Sequence, residues 1–190
     1  MKDLKADIWF PTLVWYKNMQ TNLDTLTRYA LTLKDNTKGT NLSNYGGWQS
    51  ENTILPAEHV ELLIELDQTI KVCCQQAGLP PLKLYNTWFC VNNYGDYNTM
   101  HNHQDSILSG VLYLNVPDDK CGDIEFYRDD ESNYYLPTLE KYNNFTSQKA
   151  TYKPEKGKLL IFPGWLKHAV QGSRSQGERV SMSFNYGVRK

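Results

Sequence analysis

At Leu82 the hydrophobic repeat of this chain changes from about 3.6 residues to two. Before that point Leu23, Leu26, Ala30 and Leu33 follow Asn22, a residue suited to cap a helix, and predict a short amphipathic helix. A second helix is predicted where Pro56 suits the first turn and Leu63, Leu66, Ile70, Cys73 and Ala77 hold one face, with Gly78 and Pro80-Pro81 as the stop. The aromatic and β-branched run Ile8–Tyr16 reads as a strand, which Pro11 confines to an edge or a bulge. The polar stretch from Asp35 to Gly47 reads as a loop.

After Leu82, alternating runs at Leu84–Val91, Tyr97–Asp105, Ile107–Val116 and Asp123–Tyr127 are separated by turn residues such as Tyr94-Gly95-Asp96 and Pro117-Asp118-Asp119. Further strands are expected at Ala150–Lys153, Gly157–Phe162, Trp165–Gln171 and Glu178–Tyr186. Helices followed by about eight short strands predict a mainly β protein with N-terminal helices, packed on an antiparallel barrel or jelly roll. The expected organisation is one compact domain, with residues 1–81 supporting a core of residues 82–190. Between Tyr127 and Ala150, the aromatic stretch Arg128–Phe145 is too long for a plain hairpin loop and is expected to form a lid.

Charge narrows the partners. Twenty basic residues against 21 acidic ones give a net charge of −1, with no basic block to neutralise a phosphate backbone, so nucleic acid is not expected. Apolar runs such as Leu159-Leu160-Ile161-Phe162 are far short of a membrane span, and the start Met1–Asp7 has no apolar signal region, so a cytoplasmic protein is expected. Cys73, Cys74, Cys90 and Cys121 lack the paired spacing of thiolate zinc sites and are expected to be buried, reduced thiols.

The metal-ligating chemistry concentrates in the strand region. His59 reads as lying on the exposed side of a helix, whereas a strand over Tyr97–Asp105 places Thr99, His101, His103 and Asp105 on one face. Residues two apart on a strand are about 6.6 Å apart and can share an ion; residues four apart, at about 13 Å, ordinarily cannot. Two sets follow: His103 and Asp105 with a distant histidine, the arrangement of non-haem iron(II) sites, or His101 and His103 with the same histidine, an all-imidazole site open to zinc or iron. The distant histidine is His168. If the chain turns back as a hairpin between Arg174 and Ser175, His168 faces Ser181, Val170 faces Arg179, and a guanidinium and a hydroxyl lie on the metal side, suited to a carboxylate.

With His-x-Asp at 103 and 105, Ser109-Gly110-Val111-Leu112-Tyr113-Leu114-Asn115, Phe162-Pro163 before His168, and Arg179-x-Ser181, the chain from Trp88 to Asn185 resembles the iron(II)- and 2-oxoglutarate-dependent oxygenases. It is most similar to their prolyl-hydroxylase-like branch and to uncharacterised bacterial and phage members. The resemblance implies a double-stranded β-helix, a jelly-roll, cupin-like barrel, and a dioxygenase that uses Fe(II), O2 and 2-oxoglutarate to hydroxylate a small-molecule or peptidyl substrate with release of succinate and CO2. It implies that His103, Asp105 and His168 hold iron, and that Arg179, Ser181 and Tyr113 bind the far carboxylate of 2-oxoglutarate. Members of the group often carry a His-x-His pair matching 101 and 103, which makes His101 the competitor of Asp105. The rival from another class is a cupin-like metal- or ligand-binding module without oxygenase activity; a zinc hydrolase lacks an evident general base apart from Asp105.

Overall fold

A computed structural model describes residues 4–130 and 143–188. In chain order the elements are β1 (Trp15–Asn18), α1 (Asp24–Asn36), β2 (Asn44–Tyr45), β3 (Trp48–Gln49), a single 3-10 turn at Ala57–His59, α2 (Val60–Ala77), β4 (Lys83–Asn92), β5 (Tyr97–His101) and β6 (Leu108–Asn115). They continue with β7 (Ile124–Tyr127), β8 (Lys149–Tyr152), β9 (Lys158–Pro163), β10 (His168–Val170) and β11 (Arg179–Gly187). The strands form a six-stranded sheet in the order β1-β9-β6-β11-β4-β3 and a five-stranded sheet in the order β2-β5-β10-β7-β8, paired antiparallel throughout.

Strand alternation assigns the two faces of the larger sheet to different partners. Val180, Met182, Phe184 and Tyr186 of β11, Phe89 and Val91 of β4 and Leu112 and Leu114 of β6 join Leu26 and Ala30 of α1 and Leu62, Leu66, Ile70 and Cys73 of α2 in one core. The intervening residues of β6 and β9, Val111, Tyr113, Leu160 and Phe162, pack with Ile124 and Phe126 of β7 in a second core between the sheets. The layers are therefore helices, large sheet and small sheet. The Asn22 side chain accepts the Asp24 N–H at the start of α1, and Gly78 ends α2 with φ +65°, where Leu79 N–H reaches Cys74 O at 2.9 Å. Tyr186 ties α2 to the large sheet by donating its hydroxyl to Asp67 at 2.5 Å.

Several expectations need correction. The strand expected through Asp105 stops at His101, because the chain leaves the small sheet there, closes a turn through Ser106 N–H to His103 O, and enters the large sheet as β6. The expected hairpin of His168 with Ser181 does not exist: β10 pairs with β5 and β7, β11 with β4 and β6, so the two strands lie in opposite sheets. His59 is buried at 5% exposure, its ring 6.0 Å from that of Tyr29, rather than on an exposed face. In the segment Ile8–Tyr16, pairing begins only at Trp15, on the edge strand β1. Part of the polar loop from Asp35 to Gly47 is paired as β2. Residues 131–142 of the expected lid lie outside the described residues. The four cysteines are buried and free, and no helix among the described residues is long and apolar enough to cross a membrane.

Candidate active site and metal centre

The sheets enclose a cavity of about 560 Å³ whose walls include Trp88, Tyr113, His168 and Arg179. Its large-sheet wall follows from the period of β11: with Val180, Met182 and Phe184 turned to the helices, Arg179, Ser181, Ser183 and Asn185 turn inward.

On the small-sheet side, His168 at the start of β10 pairs directly with His101 at the end of β5. His103, in the turn beyond β5, is held by its backbone N–H on Gly164 O at 2.8 Å. The ring centroids are 4.3 Å apart for His101 and His168, 5.3 Å for His101 and His103 and 5.1 Å for His103 and His168. One ligand atom from each of the three lies within 4.8 Å of the others. Asp105, one of the two residues read as completing the site, lines the same cavity but is exposed in the turn and is not part of that cluster.

Each of the three rings is held at Nδ1 by a neighbouring group. His101 Nδ1 is 2.8 Å from Thr99 O and His168 Nδ1 is 2.9 Å from Leu166 O. A carbonyl only accepts, so each Nδ1 carries the hydrogen and each Nε2 keeps its lone pair. His103 Nδ1 lies 2.8 Å from Asn185 Oδ1 and 2.7 Å from Ser109 Oγ. Burial lowers the pKa of all three, that of His103 to about 4 and that of His168 to about 3, so the imidazoles are neutral at neutral pH. Three neutral imidazoles, each held at Nδ1 by a neighbouring group and each offering a ligand atom within 4.8 Å of the others, suit a divalent transition metal.

At the other end of the wall stands Arg179, only 3% exposed. Nη1 donates to Cys121 O at 3.1 Å and Gly122 O at 3.0 Å, and Nη2 donates to Asn92 Oδ1 at 2.8 Å. Nε is buried with no partner, and among the described residues no carboxylate pairs with this cation. A buried charge left without its counter-charge costs several kcal/mol, and an entering carboxylate offsets that cost. Ser181 and Tyr113 are cross-strand neighbours on the same wall. Burial, partly opposed by Arg179, pushes the Tyr113 phenol up to about 12, so it keeps its proton and can donate it in a hydrogen bond. His168 and Arg179 thus face one cavity from opposite sheets, not side by side along a hairpin.

Sequence comparison matches residues 86–185 to the family described as "Putative 2OG-Fe(II) oxygenase". The chain belongs to this family of 2OG-Fe(II) oxygenases. No curated protein matches the sequence. Among solved structures, the chain is similar to a Pseudomonas putida prolyl-4-hydroxylase, with 16% identity, 94% of each chain covered and a TM-score of 0.67. It is also similar to the viral collagen prolyl hydroxylase of Paramecium Bursaria Chlorella virus-1, solved with 2OG, with 15% identity, 92% of this chain and 96% of that one covered and a TM-score of 0.61. A third is SnoN, a non-heme alpha ketoglutarate dependent epimerase from nogalamycin biosynthesis, with 12% identity, 92% and 78% covered and a TM-score of 0.68 in its complex with Fe3+, alpha ketoglutarate and nogalamycin RO. At these identities the likeness is one of fold, the double-stranded β-helix.

As a 2OG-Fe(II) oxygenase the protein is an enzyme whose family uses iron(II), 2-oxoglutarate and O2. Of the residues that hold Arg179 and His103, Ser109 stands in the Ser109–Asn115 motif but has no role assigned there, and Asn92 and Asn185 are not singled out in the sequence. Of these two, Asn185 has a legible signal, its place in the alternation Arg179-x-Ser181-x-Ser183-x-Asn185.

Proposed function

We propose that this oxygenase hydroxylates a C–H bond of a small-molecule or peptidyl substrate, that His101, His103 and His168 hold its iron(II), and that Arg179, with Ser181 and Tyr113, binds the far carboxylate of 2-oxoglutarate. The observation that carries the co-substrate assignment is the buried guanidinium of Arg179, with an unpartnered Nε and no ion-paired carboxylate among the described residues. The ligand set rests on the convergence of three imidazoles with Asp105 left out of the cluster. Iron(II), when bound, supplies the one-electron chemistry that lets O2 react with a closed-shell organic molecule.

The chain's own residues orient and exclude. Asn92 and the carbonyls of Cys121 and Gly122 fix the guanidinium plane before the co-substrate arrives, which keeps the ordering cost of binding small. Protonated Tyr113 and the Ser181 hydroxyl offer hydrogen bonds to the same carboxylate. Trp88, whose ring is 5.6 Å from that of His103, and Phe162, 4.8 Å from His168, line the histidines with apolar surface and limit water. In the overall reaction one atom of O2 enters the substrate C–H bond, and the other enters succinate as 2-oxoglutarate loses CO2.

The test is succinate release from 2-oxoglutarate by the aerobic protein with added Fe(II). Wild type is expected to form succinate, and Arg179→Ala is expected to keep its iron but bind 2-oxoglutarate about 30- to 1000-fold more weakly, for a charge-assisted contact of about 2–4 kcal/mol. Unchanged 2-oxoglutarate affinity in the variant would remove Arg179 from the site. Absence of succinate from wild type would favour a metal- or ligand-binding barrel.

A further inference from the structure

The three clustered histidines are not fixed in the same way. His101 and His168 each turn Nδ1 to the carbonyl two residues earlier in their own segment, Thr99 and Leu166. His103 lies in the turn beyond β5, and its Nδ1 faces side chains brought from other strands, Ser109 on β6 and Asn185 on β11. Its proton therefore depends on the assembled fold, whereas the other two depend on local backbone.

The two partners of His103 are not equivalent. A hydroxyl can donate or accept, so Ser109 alone is compatible with a proton on either ring nitrogen. Its Oγ also lies 2.6 Å from Asn185 Oδ1 and 2.9 Å from Ser106 Oγ, and Ser106 reaches Leu108 O at 2.7 Å. The oxygen of Asn185 can only accept, and it sits where both Ser109 and His103 can donate to it. Asn185 is 6% exposed, so water does not offer an easy substitute. It stands at a register irregularity of the β11–β4 pairing, between Asn185 and Tyr186, a feature that commonly re-aims a side chain beside a functional site.

We infer that Asn185 is a positioning residue: its side-chain oxygen commits His103 to the Nδ1–H form and so turns a bare Nε2 towards His101 and His168. The inference rests on the proposed ligand set for its purpose, but the proton position can be read without metal. Because the partner is an amide, it orients the ring without adding the negative charge that a carboxylate in the same place would bring.

The experiment is long-range ¹⁵N–¹H correlation NMR of the histidine rings in the full chain, stripped of metal, at neutral pH. Wild type is expected to show His101, His103 and His168 all as Nδ1–H. Asn185→Leu is expected to shift His103 alone towards Nε2–H, and Asn185→Asp, which keeps an acceptor, to restore Nδ1–H. Equilibrium dialysis against Co(II) is the second readout: roughly 10–100-fold weaker binding is expected in Asn185→Leu, with affinity regained in Asn185→Asp. A wild-type His103 in the Nε2–H form overturns the inference even if no variant folds, and so does an unchanged His103 in a folded Asn185→Leu. The expected tautomers in a wild type that binds no Co(II) would support the role of Asn185 while overturning the three histidines as a metal site.

Discussion

Arg179 shows how a single residue can declare its partner. Three of its five N–H groups are spent on Asn92, Cys121 and Gly122, and these bonds hold its plane without neutralising its charge. Arg179→Lys is accordingly expected to recover part of the 2-oxoglutarate affinity lost in Arg179→Ala, since an ammonium restores charge but not the planar fork. Isothermal titration of the two metal-loaded variants checks this, and equal affinities would mean that charge and shape contribute nothing separable. Arg179 and His168 were legible in the sequence because a cation and an imidazole among alternating strand residues have few other uses. Asn92 and Asn185 were not, because a carboxamide reads alike in a turn, a surface and a buried network, and only the long-range pairing of β11 gives each its partner.

Among the elements, β6 and β11 carry the large-sheet wall of the site, with Tyr113, Arg179, Ser181 and Asn185, and their packing leaves no spare volume behind it. A Cβ on Gly110 would stand 2.3 Å from Phe184 Cζ and 2.6 Å from Leu160 O. Gly110→Ala is thus expected to destabilise the fold by about 1–3 kcal/mol, lowering Tm in calorimetry, with Phe184→Leu in the same chain recovering part of the loss. A Tm unchanged from wild type would show that β6 and β11 yield more readily than their registry suggests. Period two located the strands of this region to within a few residues. It could not say which strands pair, because successive strands here cross between sheets, and that is why the assumed hairpin failed while the residues it placed together still line one cavity. The same crossing ends β5 at His101 and carries Asp105 out into a turn.

For the molecule as a whole, helices packed against a large sheet and a small sheet closed over its other face leave the imidazole cluster neutral, with His168 buried and His101 and His103 half-buried. The depressed pKa values mean that the folded chain binds fewer protons than the unfolded one, whose histidines titrate near 6.5. The metal-free protein is therefore expected to keep its full stability above that value and to lose it as pH falls towards about 4 for His103 and about 3 for His168. Tm measured in chelator between pH 7.5 and 5 checks this, with His103→Gln flattening the slope; an equal slope in both would place the titrating groups elsewhere. A metal site built from three histidines without Asp105 is distinguished from one that uses the carboxylate by anaerobic Fe(II) stoichiometry on purified His101→Ala and Asp105→Ala. His101→Ala is expected to lose iron while Asp105→Ala retains it at the wild-type level, and iron lost from Asp105→Ala but kept by His101→Ala would overturn the three-histidine site.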